Sequence, residues 1–188
     1  MSKIGIFFGT DSGTTRLIAK KMAKKLGDAV CDKPLNVNRI SVADMLQYDA
    51  LILGTPSYGE GQLPGVATGV KDGSWEEFMP QLAQADFTGK RIALYGLGNQ
   101  DKYPDRFADS LFALYSQLQA CGAQIVGGWS TEGYQFNHSK AVVDDQFVGL
   151  VLDQNNQALL ADERMDTWLA VVMPLLLADA VMPAAVQA

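Results

Sequence analysis

Four hydroxyl side chains, Thr10, Ser12, Thr14 and Thr15, fall within Thr10-Asp-Ser-Gly-Thr-Thr15, directly after the apolar run Ile4-Gly-Ile-Phe-Phe8. Neutral donors packed this densely at a strand-to-helix junction suit a phosphate, because the helix start adds free N–H groups and the positive end of the helix dipole. The spacing is not that of a Walker A loop: Gly9 and Gly13 are followed by no lysine, so hydrolysis of a nucleoside triphosphate is disfavoured. No GxGxxG follows the first apolar run, and Gly96-Leu-Gly98 lacks a third glycine, so a mononucleotide fits better than a dinucleotide. Two further loops each offer an aromatic ring, Tyr58 and Tyr103, and rings from separate loops can sandwich a flat ligand.

Acid–base and metal chemistry find little support. His138 is the only histidine, lies in a polar segment and has no nucleophile signature beside it, so no catalytic residue is assigned. Asp144-Asp145 and Glu76-Glu77 are neighbouring acids without a ligand pattern, so no metal site is assigned either. Cys31 and Cys121 show neither CxxC nor zinc-ligand spacing and read as structural thiols of a reducing, cytoplasmic protein.

These loops need a scaffold that presents them together. Ile4–Phe8, Ala50–Leu53 and Arg91–Tyr95 are continuous apolar runs, as expected of parallel strands covered on both faces. Leu35–Ile40 alternates like an edge strand, and Ser41-Val-Ala-Asp44 has the spacing of a helix cap. Ile18, Met22 and Leu26 mark one helix, a second starts near Ser74, and Phe107, Leu111, Leu114, Tyr115 and Leu118 mark a third. Gly54–Gly65 is expected to hold no regular structure, and a loop of that length is usually functional. Ala123–Val126 and Phe147–Leu152 are strand-like on either side of a turn-rich excursion, Ser130–Asp145, that interrupts a fifth strand. A last helix starts near Asp162 with Met165, Trp168, Leu169 and Val172 as its stripe, and Pro174 is expected to end or kink it. The alternation predicts a doubly wound α/β fold with a five-stranded parallel sheet, whose ligands bind at the carboxyl ends of the strands.

The chain has 188 residues, 48% of them hydrophobic, and is expected to form a single domain over 1–188, with about 174–188 as a loosely ordered tail. The Val171–Ala188 stretch is interrupted by Pro174, Asp179 and Pro183 and is too short for a membrane span. A net charge of −6 argues against nucleic acid as a partner. Residues 1–40 hold eight basic and three acidic groups, so acidic surface is concentrated downstream.

Gly9-Thr-Asp-Ser-Gly-Thr-Thr15, Gly54-Thr-Pro-Ser-Tyr-Gly-Glu-Gly61, Tyr95-Gly-Leu-Gly-Asn-Gln-Asp-Lys-Tyr103 and Trp129-Ser-Thr-Glu-Gly-Tyr134 together resemble the long-chain flavodoxins over almost the whole chain. The resemblance implies strand order 2-1-3-4-5 and noncovalent FMN. It implies a low-potential one-electron carrier that shuttles between semiquinone and hydroquinone. Thr10, Asp11, Ser12, Gly13, Thr14 and Thr15 would hold the phosphate, and Thr55, Pro56, Ser57, Tyr58, Gly59 and Glu60 would line one side of the ring. Leu97, Gly98, Asn99 and Tyr103 would close the other side, and the Gly59–Glu60 peptide would be the redox switch. Two residues depart from the family: Thr14 stands where many relatives have lysine, and Asn99 where aspartate is common. The loop Gly59-Glu-Gly-Gln-Leu-Pro-Gly65 also resembles the branch serving nitrogen fixation. Implied partners are a flavodoxin/ferredoxin reductase-type donor and a low-potential acceptor such as nitrogenase, docking transiently on a monomer. Glu60, Asp72, Glu76, Glu77 and Asp101 are the candidate rim charges. A flavodoxin-like NAD(P)H:quinone reductase doing two-electron transfer, and a fold that has lost its cofactor, are the alternatives.

Overall fold

A computed structural model describes residues 3–10 and 12–178. Asp11 and 179–188, the end of the expected tail, lie outside the described residues. Of the six strands of the central sheet, five, β1 (Ile4–Phe8), β2 (Leu35–Asn36), β3 (Ala50–Pro56), β4 (Arg91–Leu97) and β5 (Gln124–Val126), lie in the order β2-β1-β3-β4-β5. All pair in parallel. Ile4, Ile6, Phe7, Leu51, Ile52, Leu53, Ile92 and Leu94 are all buried, which is why these strands read as unbroken apolar runs.

Helices cover both faces. On one, α1 (Thr14–Leu26) and α5 (Ala161–Leu177) bring Ile18, Met22, Met165, Trp168 and Val172 against Ile6, Ile52 and Ala93. On the other, α2 (Val42–Leu46), α3 (Trp75–Ala83) and α4 (Ser110–Ala120) bring Met45, Trp75, Phe78, Leu111 and Leu114 against Phe7, Leu51 and Leu94.

The strand-like runs 123–126 and 147–152 share the fifth position. β5 pairs with Arg91–Ala93 of β4, and a later strand, Leu150–Leu152, pairs with Tyr95–Leu97 further along the same edge. The excursion between them is not irregular: Trp129–Ser130 (β6), Val142–Val143 (β7) and Gln146–Phe147 (β8) form a small antiparallel sheet, so Leu150–Leu152 is β9. Phe147 therefore belongs to the insertion, where it packs with Phe107, Tyr134 and Phe136.

Several boundaries differ from the sequence expectation. Leu35–Ile40 is a strand only over its first two residues and then a 3-10 turn, Val37–Arg39, because Val37 is the residue that must enter the core. β3 continues through Thr55 and Pro56 into the segment expected to be loop, since it stays paired with β4 to Leu97. Pro can close a strand where its missing N–H costs no ladder bond. Pro174 sits inside α5 rather than ending it; Val172 and Leu176 on either side are both fully buried and hold the helix on course.

Candidate functional site

The carboxyl ends of β1, β3, β4 and β9 release four loops around one cleft of about 600 Å³. Gly54 fixes the distance between two of them. A side chain there would collide with the Tyr95 ring, which crosses over Gly54 and donates from its hydroxyl to the Thr15 carbonyl at 3.0 Å. The start of α1 is thereby tied to β4, and burial pushes the Tyr95 phenol well above its usual range, so it stays a neutral donor.

Thr10, Ser12, Thr14 and Thr15 all line the cleft. They do not cap α1, as turn hydroxyls commonly would. Gly13 stands at the cap with φ +94° and no side-chain cap bond is made, although Thr10 Oγ1 accepts from the Gly13 N–H at 3.0 Å. Among the described residues, the buried Thr15 Oγ1 has no hydrogen-bond partner. A buried hydroxyl left unpaired costs about 1–3 kcal/mol, a cost that a ligand bonded to this atom would remove. Gly13 itself does not line the cleft, and Asp11 lies outside the described residues.

From the second loop, Pro56, Ser57, Tyr58 and Gly59 line the cleft; Thr55, fully buried inside β3, and Glu60 do not. The chain reverses tightly here, with the Gly61 N–H donating to the Tyr58 carbonyl at 2.7 Å and Tyr58 N–H to Gln62 carbonyl at 3.0 Å. Gly59 (φ +35°) and Gly61 (φ +83°) supply the left-handed backbone this reversal requires. Among the described residues, the Gly59 carbonyl and the Glu60 N–H make no hydrogen bond, which leaves the peptide between them free to turn. Ser57 is anchored rather than free: its Oγ accepts from the Ser110 N–H at 3.2 Å and lies 2.7 Å from the Ser110 hydroxyl. Because Ser110 Oγ donates to the Pro56 carbonyl at 2.8 Å, the Ser57 proton must go to Ser110. Glu60 forms an ion pair with Arg106, linking the second loop to the third.

Leu97, Gly98, Asn99 and Tyr103 complete the expected set, and all line the cleft. Sequence reading missed Lys102, Arg106, Ala108, Gln154 and Asn155, which line it too. The motif Asp-Lys-Tyr103 carried the signal for Lys102, whose ammonium lies 5.3 Å from the centre of the Tyr103 ring. Gln154 and Asn155 had no local signal; they reach the cleft because the interrupted fifth strand brings β9 beside β4.

Two expected rim charges are committed elsewhere. Besides the Glu60 pair, Glu77 accepts from Val66 N at 2.8 Å and Ser74 N at 2.7 Å and so pins the second loop to the start of α3. Among the described residues no cluster of three or more His, Cys, Asp or Glu could hold a metal ion, and no helix is long and apolar enough to cross a membrane.

Residues 6–168 match the family model for flavodoxin. The chain belongs to the flavodoxin family. A flavodoxin of Klebsiella pneumoniae is 49% identical over 90% of this chain and 96% of its own length. A flavodoxin of Synechocystis sp. is 40% identical over 94% and 99% respectively. Among solved structures, Fusobacterium nucleatum flavodoxin bound to flavin mononucleotide superposes with TM-score 0.84 at 31% identity, covering 94% of this chain and 99% of that one. As a flavodoxin, the protein is an electron-transfer protein rather than an enzyme, and the resemblance drawn from its four loop motifs is borne out.

Proposed function

We propose that the cleft holds FMN noncovalently and that the protein carries single electrons at low potential from a flavodoxin/ferredoxin reductase-type donor to an acceptor enzyme. The observation that carries this reading is the buried, unpartnered Thr15 hydroxyl at the start of α1, surrounded by three more hydroxyls lining the same cleft. These residues fit a phosphate monoester: neutral hydroxyl donors and the N–H groups of a helix start. Thr14 adds a donor but no charge, which leaves the dianion to hydroxyls, amides and the helix dipole.

When bound, FMN supplies the redox chemistry, accepting electrons one at a time. The chain binds, orients and tunes. Tyr58 and Tyr103 provide rings for stacking, and Leu97 and Pro56 exclude water between them. The unbonded Gly59–Glu60 peptide is the proposed switch, because it can turn its carbonyl toward a ring N–H without breaking a bond elsewhere. The Gly59–Gly65 loop supports nitrogenase as one acceptor, and exposed charges around the cleft support brief, electrostatically oriented docking of a monomer.

The test is an FMN titration of the apoprotein followed by protein-ligand stoichiometry. One tightly bound FMN per chain, lost on substituting Thr15 and Thr14 together by valine, is the expected result. Apoprotein that stays colourless at any FMN concentration would overturn the reading and favour a fold that has lost its cofactor.

A further inference from the structure

We infer that Asn99 presents its side-chain N–H group to the flavin as a neutral donor, and that Asp153 and Asn156 position it. The inference rests on the FMN reading of the cleft. It starts from Asp153, which is 1% exposed and takes four donors on its two oxygens. These are Gln100 N at 2.9 Å, Asn155 N at 3.1 Å, Asn156 N at 3.0 Å and Asn156 Nδ2 at 2.9 Å. Asp153 thus ties the loop after β9 to the loop after β4, two walls of the cleft.

The orientation of Asn99 follows from donor arithmetic. The atom of Asn156 facing Asp153 must be its nitrogen, since the opposing carboxylate oxygen, Oδ2, is an acceptor that already takes the Gln100 N–H. The same Nδ2 donates to Asn99 at 2.9 Å, so the Asn99 atom facing it is the oxygen. Lys102 N–H, a backbone donor that cannot be reversed, reaches the same Asn99 oxygen at 3.0 Å and requires the same assignment. Both donors occupy Oδ1, and Asn99 Nδ2 donates to no described residue while Asn99 lines the cleft. A half-buried amide with two uncommitted N–H groups, held by a network rooted in a buried carboxylate, is built to meet an acceptor. Lys102 and Arg106 line the cleft beside it. Negative charge that grows on the ligand during reduction would be stabilised by Asn99 and Lys102, while Arg106 is paired with Glu60.

Asn99→Asp tests this with least change of shape, because one carboxylate oxygen can still accept from Lys102 and Asn156 while the donor becomes a second oxygen. Asn99→Ala removes the donor without adding charge, and Asn156→Ala releases the side chain that holds it. The measurements are the Asn99 side-chain amide resonance on titration with FMN, and the affinity ratio for fully reduced over oxidised FMN taken from the midpoint potentials. Thermal unfolding of each apoprotein shows that the variants fold. The Asn99 resonance is expected to move on FMN binding. The affinity ratio should fall about fivefold in Asn99→Ala, the worth of one ordinary hydrogen bond. It should fall about tenfold in Asn99→Asp, equivalent to about 30 mV in the two-electron midpoint potential. Asn156→Ala should fall between the wild type and Asn99→Ala. FMN binding with an unmoved Asn99 resonance and an unchanged ratio in all three variants would overturn the inference alone. No binding of FMN by the wild-type protein would overturn the reading of the cleft and this inference with it.

Discussion

At the scale of the residue, the cleft holds atoms that serve folding poorly and binding well. Thr15 Oγ1 is the clearest case, buried and unbonded at a helix start. Thr15→Val keeps the shape and removes the orphan, so the apoprotein should gain about 1 kcal/mol in urea unfolding while FMN affinity falls about tenfold. A variant that loses stability and binding together would show the hydroxyl to be structural. The hydroxyls, Tyr58, Asn99 and Tyr103 were legible in the sequence because each sits in a short motif at a strand end. Arg106 and Asn155 were not, because their place depends on loops meeting across separate strands, which no local pattern encodes. Thr55 was misplaced for a related reason: its neighbours suggest loop, yet β4 keeps pairing past it.

At the scale of the element, one carboxylate, Glu77, pins the second loop to the start of α3. Partial burial pushes the Glu77 carboxyl up, but hydrogen bonds from the backbone N–H groups of Val66, Ser74 and Glu77 itself outweigh it, leaving the group below its usual range. A depressed carboxyl stabilises the fold above its ordinary range, about pH 4.3, and that contribution is lost as pH falls through the lower folded value. Glu77→Gln should therefore cost about 1 kcal/mol near neutral pH, after allowance for its exposure, and the gap to wild type should close on acidification. Urea unfolding at a series of pH values checks it; a gap independent of pH would contradict it. The turn at Tyr58–Gln62 should be equally sensitive. Gly61→Ala forces φ +83° on a residue with a side chain and puts Cβ 2.6 Å from Asp109 Cβ. We expect slower FMN uptake and about 1–2 kcal/mol lower stability, measured by stopped-flow fluorescence and urea unfolding. Of the elements, the βα alternation and the interrupted fifth strand were legible, since hydrophobic runs report burial directly. The small β6–β8–β7 sheet was not, because its strands are two residues each.

At the scale of the molecule, charge and topology act together. The chain carries net −6, with most of its basic groups before residue 40, and Lys21 and Lys25 of α1 pair with Asp162 and Asp166 of α5. Acidic groups outnumber basic ones beyond residue 40, which suits encounter with a cationic partner surface. The rate of electron transfer with a basic reductase should fall several-fold between low and physiological ionic strength, read by stopped-flow absorbance; an unchanged rate would place docking elsewhere. Anaerobic reductive titration of the FMN-loaded protein, followed by visible absorbance, is the measurement that decides whether this flavodoxin carries single electrons on FMN. The blue, half-reduced flavin is expected to accumulate in high yield before full reduction, stabilised by the Gly59–Glu60 peptide. Passage straight to fully reduced flavin, with little half-reduced species, would contradict it.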